Sequence, residues 1–272
     1  MTARGGARDP RVEQAFATVP REPFAGPGPW FIMPLGPWPL APGRPRYVRT
    51  PNDEPAFLYQ DVLIALDPAR GINIGEPSLH ARGLDSLRLN RGETVVQVGT
   101  GSGYYTAIMA QLVGPSGQVH GFEIDRELAG RATRNLAPWP WVTIQARSGT
   151  MGGLPEADAV YVNAAITQPH ESWLEALRPG GRLLFPLQAV GELGGMLLVH
   201  KPRDDGLSWA ARFVSRARFI SCETQQDEAI GRRLAAAFED GRWDRVKSLR
   251  LDNKPDETCW FNGGGWWLST DP

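Results

Sequence analysis

Three glycines alternate with two hydroxyl residues in Gly99-Thr100-Gly101-Ser102-Gly103. The apolar run Thr94–Val98 stops at the first glycine, and apolar residues resume at helical spacing from Tyr104 to Val113. That pattern predicts a strand, a tight turn and a helix. Glycines there allow the turn and let a ligand touch the backbone. Open α/β sheets bind ligands at the carboxyl ends of their strands, where this loop would sit. The next strand, Gln118–Phe122, ends at Glu123-Ile124. A carboxylate in that position can accept both hydroxyls of a ribose. The spacing is G-x-G-x-G rather than the G-x-G-x-x-G of dinucleotide folds, and G-x-x-x-x-G-K-[ST] is absent, so a phosphate cradle has no support. The histidines, His80, His120, His170 and His200, form no Ser-His-Asp pattern. Cys222 and Cys259 lack metal-ligand spacing, and no metal site is expected.

The elements that must position these residues follow from periodicity. Residues 9–19 predict an amphipathic helix with Val12, Ala15 and Phe16 on one side. Residues 20–56 are too rich in proline for long regular elements. Their aromatics, Phe24, Trp30, Phe31, Trp38 and Tyr47, suggest an ordered cover. A helix over 76–90 starts with Pro77 near its first turn and carries Leu79, Leu84 and Leu87 as a stripe. Beyond the glycine loop, a helix is expected at Arg126–Leu136 and strands at Val142–Gln145 and Ala159–Val162. A short helix at Ser172–Leu177 and a strand at Arg182–Phe185 follow. Strand–helix alternation implies βαβ units and a parallel sheet, an α/β fold. After residue 190, Met196–His200 and Ala210–Ser221 predict an antiparallel hairpin around Arg203-Asp204-Asp205-Gly206. A helix at 227–240 and the tail CWFNGGGWW close the chain. The expected division is an N-terminal helix and proline-rich cover (1–75), a central binding domain (76–222), and a C-terminal helix with a Trp-rich extension (223–272).

The 272 residues carry 29 Lys and Arg against 30 Asp and Glu, a balance that argues against a nucleic-acid partner. No stretch of about 18 apolar residues is present, so no membrane span is expected. The N-terminus has no apolar signal-peptide core, and cysteine is scarce; both point to the cytoplasm.

The loop followed by a strand-ending acid resembles the class I S-adenosylmethionine (SAM) methyltransferases. Within that class, VEQAFATVPREPFAGP at 12–27 is similar to the opening of the protein-L-isoaspartate O-methyltransferases. VVQVGTGSGYYTAIMAQLVG matches their glycine motif, and DAVYVNAAI at 158–166 is similar to their fourth strand. INIGEPSLHARGLDSL at 72–87 takes the place of their I-S-Q-P-x-x-V-A segment. The resemblance covers roughly residues 10–190. It implies a Rossmann-like fold with a mostly parallel central sheet and an antiparallel C-terminal hairpin, with SAM as cofactor and S-adenosylhomocysteine as product. By the same resemblance, Gln97, Gly99, Thr100, Gly101, Ser102, Gly103, Tyr104, Glu123, Ile124, Ser148, Gly149 and Asn163 would contact the cofactor.

Several positions depart from the family pattern. Gly75 and Glu76 stand where the family has the serine and glutamine of I-S-Q-P, and that serine handles the isoaspartyl substrate. Gln97 replaces an acid before the loop, and Arg147-Ser148-Gly149 replaces G-D-G. A hydroxyl accepts a hydrogen bond at roughly half the strength of a carboxylate. The catalytic candidates are Asn163, His80 and Glu76. Asn163 would either bind the acceptor or satisfy a strand end. His80 would be a base or a packed helix histidine, and Glu76 would select a cationic group or stabilise a helix N-terminus. A carboxylate acceptor is already ionised at neutral pH and needs no base, whereas an alcohol or amine would need one. The first expectation is therefore a SAM-dependent carboxyl methyltransferase acting on an aspartyl or isoaspartyl group in a protein or peptide, and a small-molecule oxygen or nitrogen acceptor is an alternative. Methyl transfer to an RNA base and a non-catalytic SAM-binding role stand as alternatives, and the oligomeric state is open.

Overall fold

In the computed structural model the described residues are 2–34, 47–189, 191–204, 206–222 and 227–272. Trp38 of the expected cover and Asp205 of the expected hairpin turn lie outside them. In chain order the elements begin with α1 (Thr2–Gly5), α2 (Pro10–Thr18), α3 (Glu22–Ala25), β1 (Phe31–Pro34), β2 (Val48–Arg49), β3 (Val62–Asp67), β4 (Ile72–Ile74) and α4 (Pro77–Leu87). The glycine-loop region contributes β5 (Thr94–Val98), α5 (Tyr104–Val113), β6 (Gln118–Phe122), α6 (Arg126–Asn135), β7 (Val142–Gln145) and β8 (Ala157–Val162). Then come α7 (Glu171–Ala176), β9 (Leu177–Leu187), β10 (Gly194–His200), β11 (Ser208–Ala217), α8 (Glu228–Asp240), β12 (Ser248–Arg250), β13 (Cys259–Asn262) and β14 (Trp267–Ser269).

The chain divides into two units, one of Met1–Gly92 with Thr100–Arg147 and one of Glu93–Gly99 with Ser148–Pro272. In the first unit, aspartates start α2 and α6. Asp9 accepts the Arg11 N–H ahead of α2, and Asp125 accepts the N–H groups of Glu127 and Leu128 ahead of α6. Helix α4 ends at Arg88, whose φ of 49° is left-handed. Helix α5 is buried on nearly every side, as a helix apolar all round must be. Strands β6 and β7 pair in parallel.

A four-stranded antiparallel sheet, β2-β1-β3-β4, completes the first unit. Its strands within 20–56 are short, four residues for β1 and two for β2, in keeping with the absence of long elements expected there, and it fills 57–75, for which the sequence predicts no element. The physical reason is distance along the chain. β1 is a short apolar stretch amid prolines, and its partner β3 lies beyond a long connection, so neither shows strand character alone. Phe24 and Trp30 of the cover are buried, whereas Phe31 is exposed.

In the second unit the strand order is β13-β14-β12-β11-β10-β9-β8-β5. β5, β8 and β9 run parallel, and from β9 outward every pairing is antiparallel. The expected parallel sheet and hairpin are present, and the antiparallel part extends further. The Trp-rich tail forms β13 and β14, which pair through β12 onto β11. Phe213, Phe238 and Trp260 pack edge to face beneath them, with ring centroids 5.2–5.5 Å apart. The second hairpin strand ends at Ala217, short of the expected Ser221. Ala217 pairs with Gly194, the first residue of β10, so the backbone partner runs out there. The Gln188 side-chain amide then takes over, accepting from Phe219 N at 2.8 Å and donating to Phe219 O at 2.9 Å.

Candidate functional site

The first unit carries the loop from Thr100 onward. Gly101 and Gly103 have φ of 58° and 98°, a region that penalises any residue with a Cβ. The Gly101 N–H donates to Glu123 Oε2 at 2.7 Å, and Asp125 N–H donates to Oε1 at 3.0 Å. Glu123 is 7% exposed. Burial raises its pKa above 4.5, and the backbone N–H groups oppose that shift. Asn135 Nδ2 holds the Ser102 carbonyl at 2.9 Å. Arg70 bridges Asp67 and Asp125, 2.6 Å from each, and ties the β3–β4 turn to the segment after Glu123. Ile124 is exposed. Tyr104 packs against Phe16 and Phe24 under α2 and α3, and burial pushes its hydroxyl up to about 12.

The acceptor-side candidates lie nearby in the same unit. Tyr105, in the first turn of α5, donates its hydroxyl to the Gly75 carbonyl at 2.6 Å. His80 stacks on the Tyr105 ring with centroids 3.6 Å apart and planes 10° from parallel. Burial, aided by the charge of Arg21, pushes the His80 pKa down to about 3. The imidazole is therefore neutral across the physiological range. Glu76 precedes α4 without capping it through its side chain, and instead accepts the Ser78 hydroxyl at 2.6 Å. The cap comes from Asp61, which accepts the Ser78 N–H at 2.9 Å. Asp61 had no sequence signal, because it lies well ahead of the helix it caps.

The second unit carries the start of the loop. Gly99 has φ of 78°, and a Cβ there would lie 3.4–3.5 Å from Asn163. Asn163 N–H donates to the Val98 carbonyl at 2.8 Å, and Nδ2 reaches the Gly99 carbonyl at 3.4 Å. Gln97 is fully buried on β5. The Ser148 hydroxyl is held locally, 2.7 Å from Thr150 Oγ1. Gly149 leaves no room for a side chain, since a Cβ would meet Val98 at 2.6 Å. Its carbonyl accepts from Trp173 Nε1 at 2.9 Å. Trp173, wholly buried, was missed because its partner lies in a loop.

A nucleoside-bearing cofactor suits these residues. Ser102 Oγ and Asn163 Oδ1 are buried without a hydrogen-bond partner among the described residues, which is costly in a finished interior. In the first unit Gly101 and Gly103 have positive φ on either side of Ser102, and Glu123 is fixed by two backbone donors; in the second, positive-φ Gly99 lies beside Asn163. No grouping of His, Cys, Asp and Glu among the described residues could hold a metal ion, and no helix there is long and apolar enough to cross a membrane.

A glycine loop between strand and helix, followed by an acid ending a strand of an α/β parallel sheet, defines a class I SAM-dependent methyltransferase. Solved structures share the fold. A protein-L-isoaspartate O-methyltransferase aligns at a TM-score of 0.63 and 19% identity, covering 100% of this chain and 86% of its own. A Plasmodium falciparum counterpart in complex with S-adenosyl-L-homocysteine aligns at 0.62 and 18%, covering 82% and 95%. The chain belongs to the protein-L-isoaspartate(D-aspartate) O-methyltransferase family, whose model matches residues 43–226. It is 35% identical over 148 residues to the protein-L-isoaspartate O-methyltransferase of Ignicoccus hospitalis, covering 53% of this chain and 69% of that one. It is 32% identical over 225 residues to protein-L-isoaspartate O-methyltransferase 2 of Anaeromyxobacter sp., covering 79% of each. The chain is thus a SAM-dependent methyltransferase.

Proposed function

We propose that this enzyme methylates the free α-carboxylate of an isoaspartyl residue in a protein or peptide. The observation that carries this is the family match over residues 43–226, joined to the Glu123–Gly101 hydrogen bond that fixes the loop's acid. In the proposed site the Gly99–Gly103 backbone borders the methionine and ribose, and Gln97 and Tyr104 belong to the same cofactor set. Glu123 accepts the ribose hydroxyls, and Ile124 offers an apolar surface to the adenine. Ser148 and Gly149 border the adenine edge, and Asn163 offers Oδ1 and Nδ2 at the carboxyl end of β8. SAM, when bound, supplies a sulfonium methyl that a carboxylate oxygen can displace in line.

An ionised carboxylate needs alignment and exclusion of water more than proton transfer. His80 suits that requirement, because an imidazole with a pKa near 3 is a poor base at neutral pH. Glu76 is proposed to shape the acceptor side rather than to move a proton. A protein or peptide acceptor is preferred to nucleic acid because Lys and Arg, 29 in number, do not exceed the 30 acids. A cytoplasmic setting rests on the low cysteine content.

The test is methyl transfer from SAM to an isoaspartyl peptide and to its aspartyl isomer. The expected product is an ester on the isoaspartyl peptide that releases methanol in alkali. A base-stable methyl group, or no transfer to either peptide, overturns the proposal.

A further inference from the structure

The turn between β3 and β4 meets both ends of the hydrogen bond that holds Glu123. Its first contact is on the glycine loop. Ala65 pairs with Asn73 and Asp67 with Ile72, so Leu66 is the extra residue of a β-bulge. Bulges re-aim a side chain, and a Cβ built on Gly101 would lie 3.7 Å from Leu66 Cδ1. The second contact is on the segment that carries the acid. Asp67 Oδ1 accepts the backbone N–H groups of Ala69 and Arg70 at 3.0 and 3.1 Å, an Asx turn that sets the backbone at Arg70. Arg70 Nε then donates to Asp67 Oδ2, and Nη2 to Asp125 Oδ2, each at 2.6 Å. The Asp125 N–H in turn donates to Glu123 Oε1 at 3.0 Å. One turn of chain thus rests on Gly101 and grips the residue that binds the far oxygen of Glu123.

We infer that Arg70 is a positioning residue for cofactor binding: through Asp125 it fixes the segment that presents Glu123, and its charge offsets the negative charge that Asp125 turns on Glu123. The inference rests on the proposed function, which gives Glu123 the ribose hydroxyls. Asp125 is fully committed. Its Oδ1 accepts the Glu127 and Leu128 N–H groups at the start of α6, and its Oδ2 takes Arg70. Two carboxylates two residues apart repel each other, and the charge of Asp125 acts to raise the Glu123 pKa. The glycine loop brings only the Gly101 N–H to Glu123. The cation that answers Asp125 comes from the packed β3–β4 turn, where Arg70 is shared with Asp67. The Arg70 side chain is half-exposed, and ion pairs of that kind contribute little to stability. Its effect belongs in ligand affinity and in the pH dependence of that affinity.

The test compares wild type with Arg70→Ala, Arg70→Lys and Arg70→Ala/Asp125→Asn by calorimetric titration of S-adenosylhomocysteine at pH 8, 7, 6 and 5, with Tm showing that each protein is folded. S-adenosylhomocysteine has no net charge at neutral pH, so a change of charge at residue 70 acts on it chiefly through Glu123. Asparagine caps a helix about as well as aspartate, so the double variant keeps the start of α6. Arg70→Ala should weaken binding about threefold to fivefold at pH 7. Its affinity should also begin to fall at a higher pH than that of wild type, because the unanswered charge of Asp125 opposes ionisation of Glu123. Arg70→Ala/Asp125→Asn removes that charge and should bring the onset of the fall back to the wild-type pH or below it. Arg70→Lys, a point charge without the planar fork, should recover part of the loss. An Arg70→Ala protein that binds like wild type at every pH overturns the inference and leaves the cofactor assignment standing. So does a loss of equal size at every pH that Asp125→Asn does not repair, since that is a loosened turn and nothing more. A wild type that binds no S-adenosylhomocysteine overturns the proposed cofactor site and the inference with it.

Discussion

Glu123 Oε2 and the Gly101 N–H are 2.7 Å apart, so the acid that ends β6 is bonded to the middle glycine of the loop that ends β5. The bond sets the height of the carboxylate against the loop before any ligand arrives, which is preorganisation of a binding group. It also gives the acid an environment whose effect can be measured.

Replacing Glu123 by Gln keeps the shape, removes the charge and leaves one acceptor oxygen for the two backbone N–H groups of Gly101 and Asp125. Hydrogen bonds to a charged acceptor are about twice as strong, so S-adenosylhomocysteine affinity should fall roughly tenfold, equivalent to about 1.4 kcal/mol. The wild type should also weaken as pH falls. The ribose hydroxyls require the ionised form, and burial raises the Glu123 pKa above its ordinary value of 4.5. Loss of affinity should therefore begin at a higher pH than for an exposed glutamate. Calorimetry across pH 7 to 5 checks both points, and the Gln variant should show a flat profile there.

Gly99→Ala should separate backbone strain from ligand contact. At a φ of 78°, alanine costs about 1–2 kcal/mol. Gly92, with a φ of 84° and only Ser116 Oγ at 3.7 Å, is the control. Both alanine variants should lose similar stability in urea, but only Gly99→Ala should lose S-adenosylhomocysteine binding. Equal affinity in the two variants would show that the first glycine of the loop does not border the cofactor.

His80 should leave its mark on stability against pH. Its folded pKa, near 3, lies below its unfolded value of 6.5. The unfolded chain therefore takes up the proton first. The stability is fully present above about pH 6.5 and is lost as pH falls towards 3, at up to about 1.4 kcal/mol per pH unit from this group. Urea unfolding at pH 7, 6 and 5 should show a shallower decline for His80→Val than for wild type. Parallel profiles would contradict a buried neutral imidazole.

Trp173→Phe should loosen the adenine side. It removes the donor to the Gly149 carbonyl in a buried setting, and leaving that acceptor without its partner costs about 1–3 kcal/mol. The midpoint in urea should fall, with a several-fold loss in S-adenosylhomocysteine affinity. Unchanged affinity would remove Gly149 from the proposed cofactor set.

The parts legible in the sequence are those whose signals are local. Thr94–Val98, Gly99–Gly103 and Tyr104–Val113 read as strand, turn and helix because each carries its own periodicity and punctuation. Asp9, Asp125 and Asp227 mark helix starts in the same local way. What was not legible depends on pairing at a distance. β1 and β3 acquire strand geometry from each other and from their outer partners β2 and β4. β13 and β14 depend on β12, and β12 on β11. The candidate site divides along the same line. Glu123 was found from its place at a strand end, whereas Asp61, Trp173 and the His80–Tyr105 stack require knowing which turns of chain meet.

The most direct measurement is calorimetric titration of S-adenosylhomocysteine and SAM into the wild type and Glu123→Ala. If the glycine loop and Glu123 form the cofactor site, the wild type binds both ligands with micromolar affinity and the variant binds neither measurably, while it remains folded with a Tm lowered by the two backbone N–H groups that lose their acceptor. Equal affinity in a folded Glu123→Ala protein would contradict that assignment.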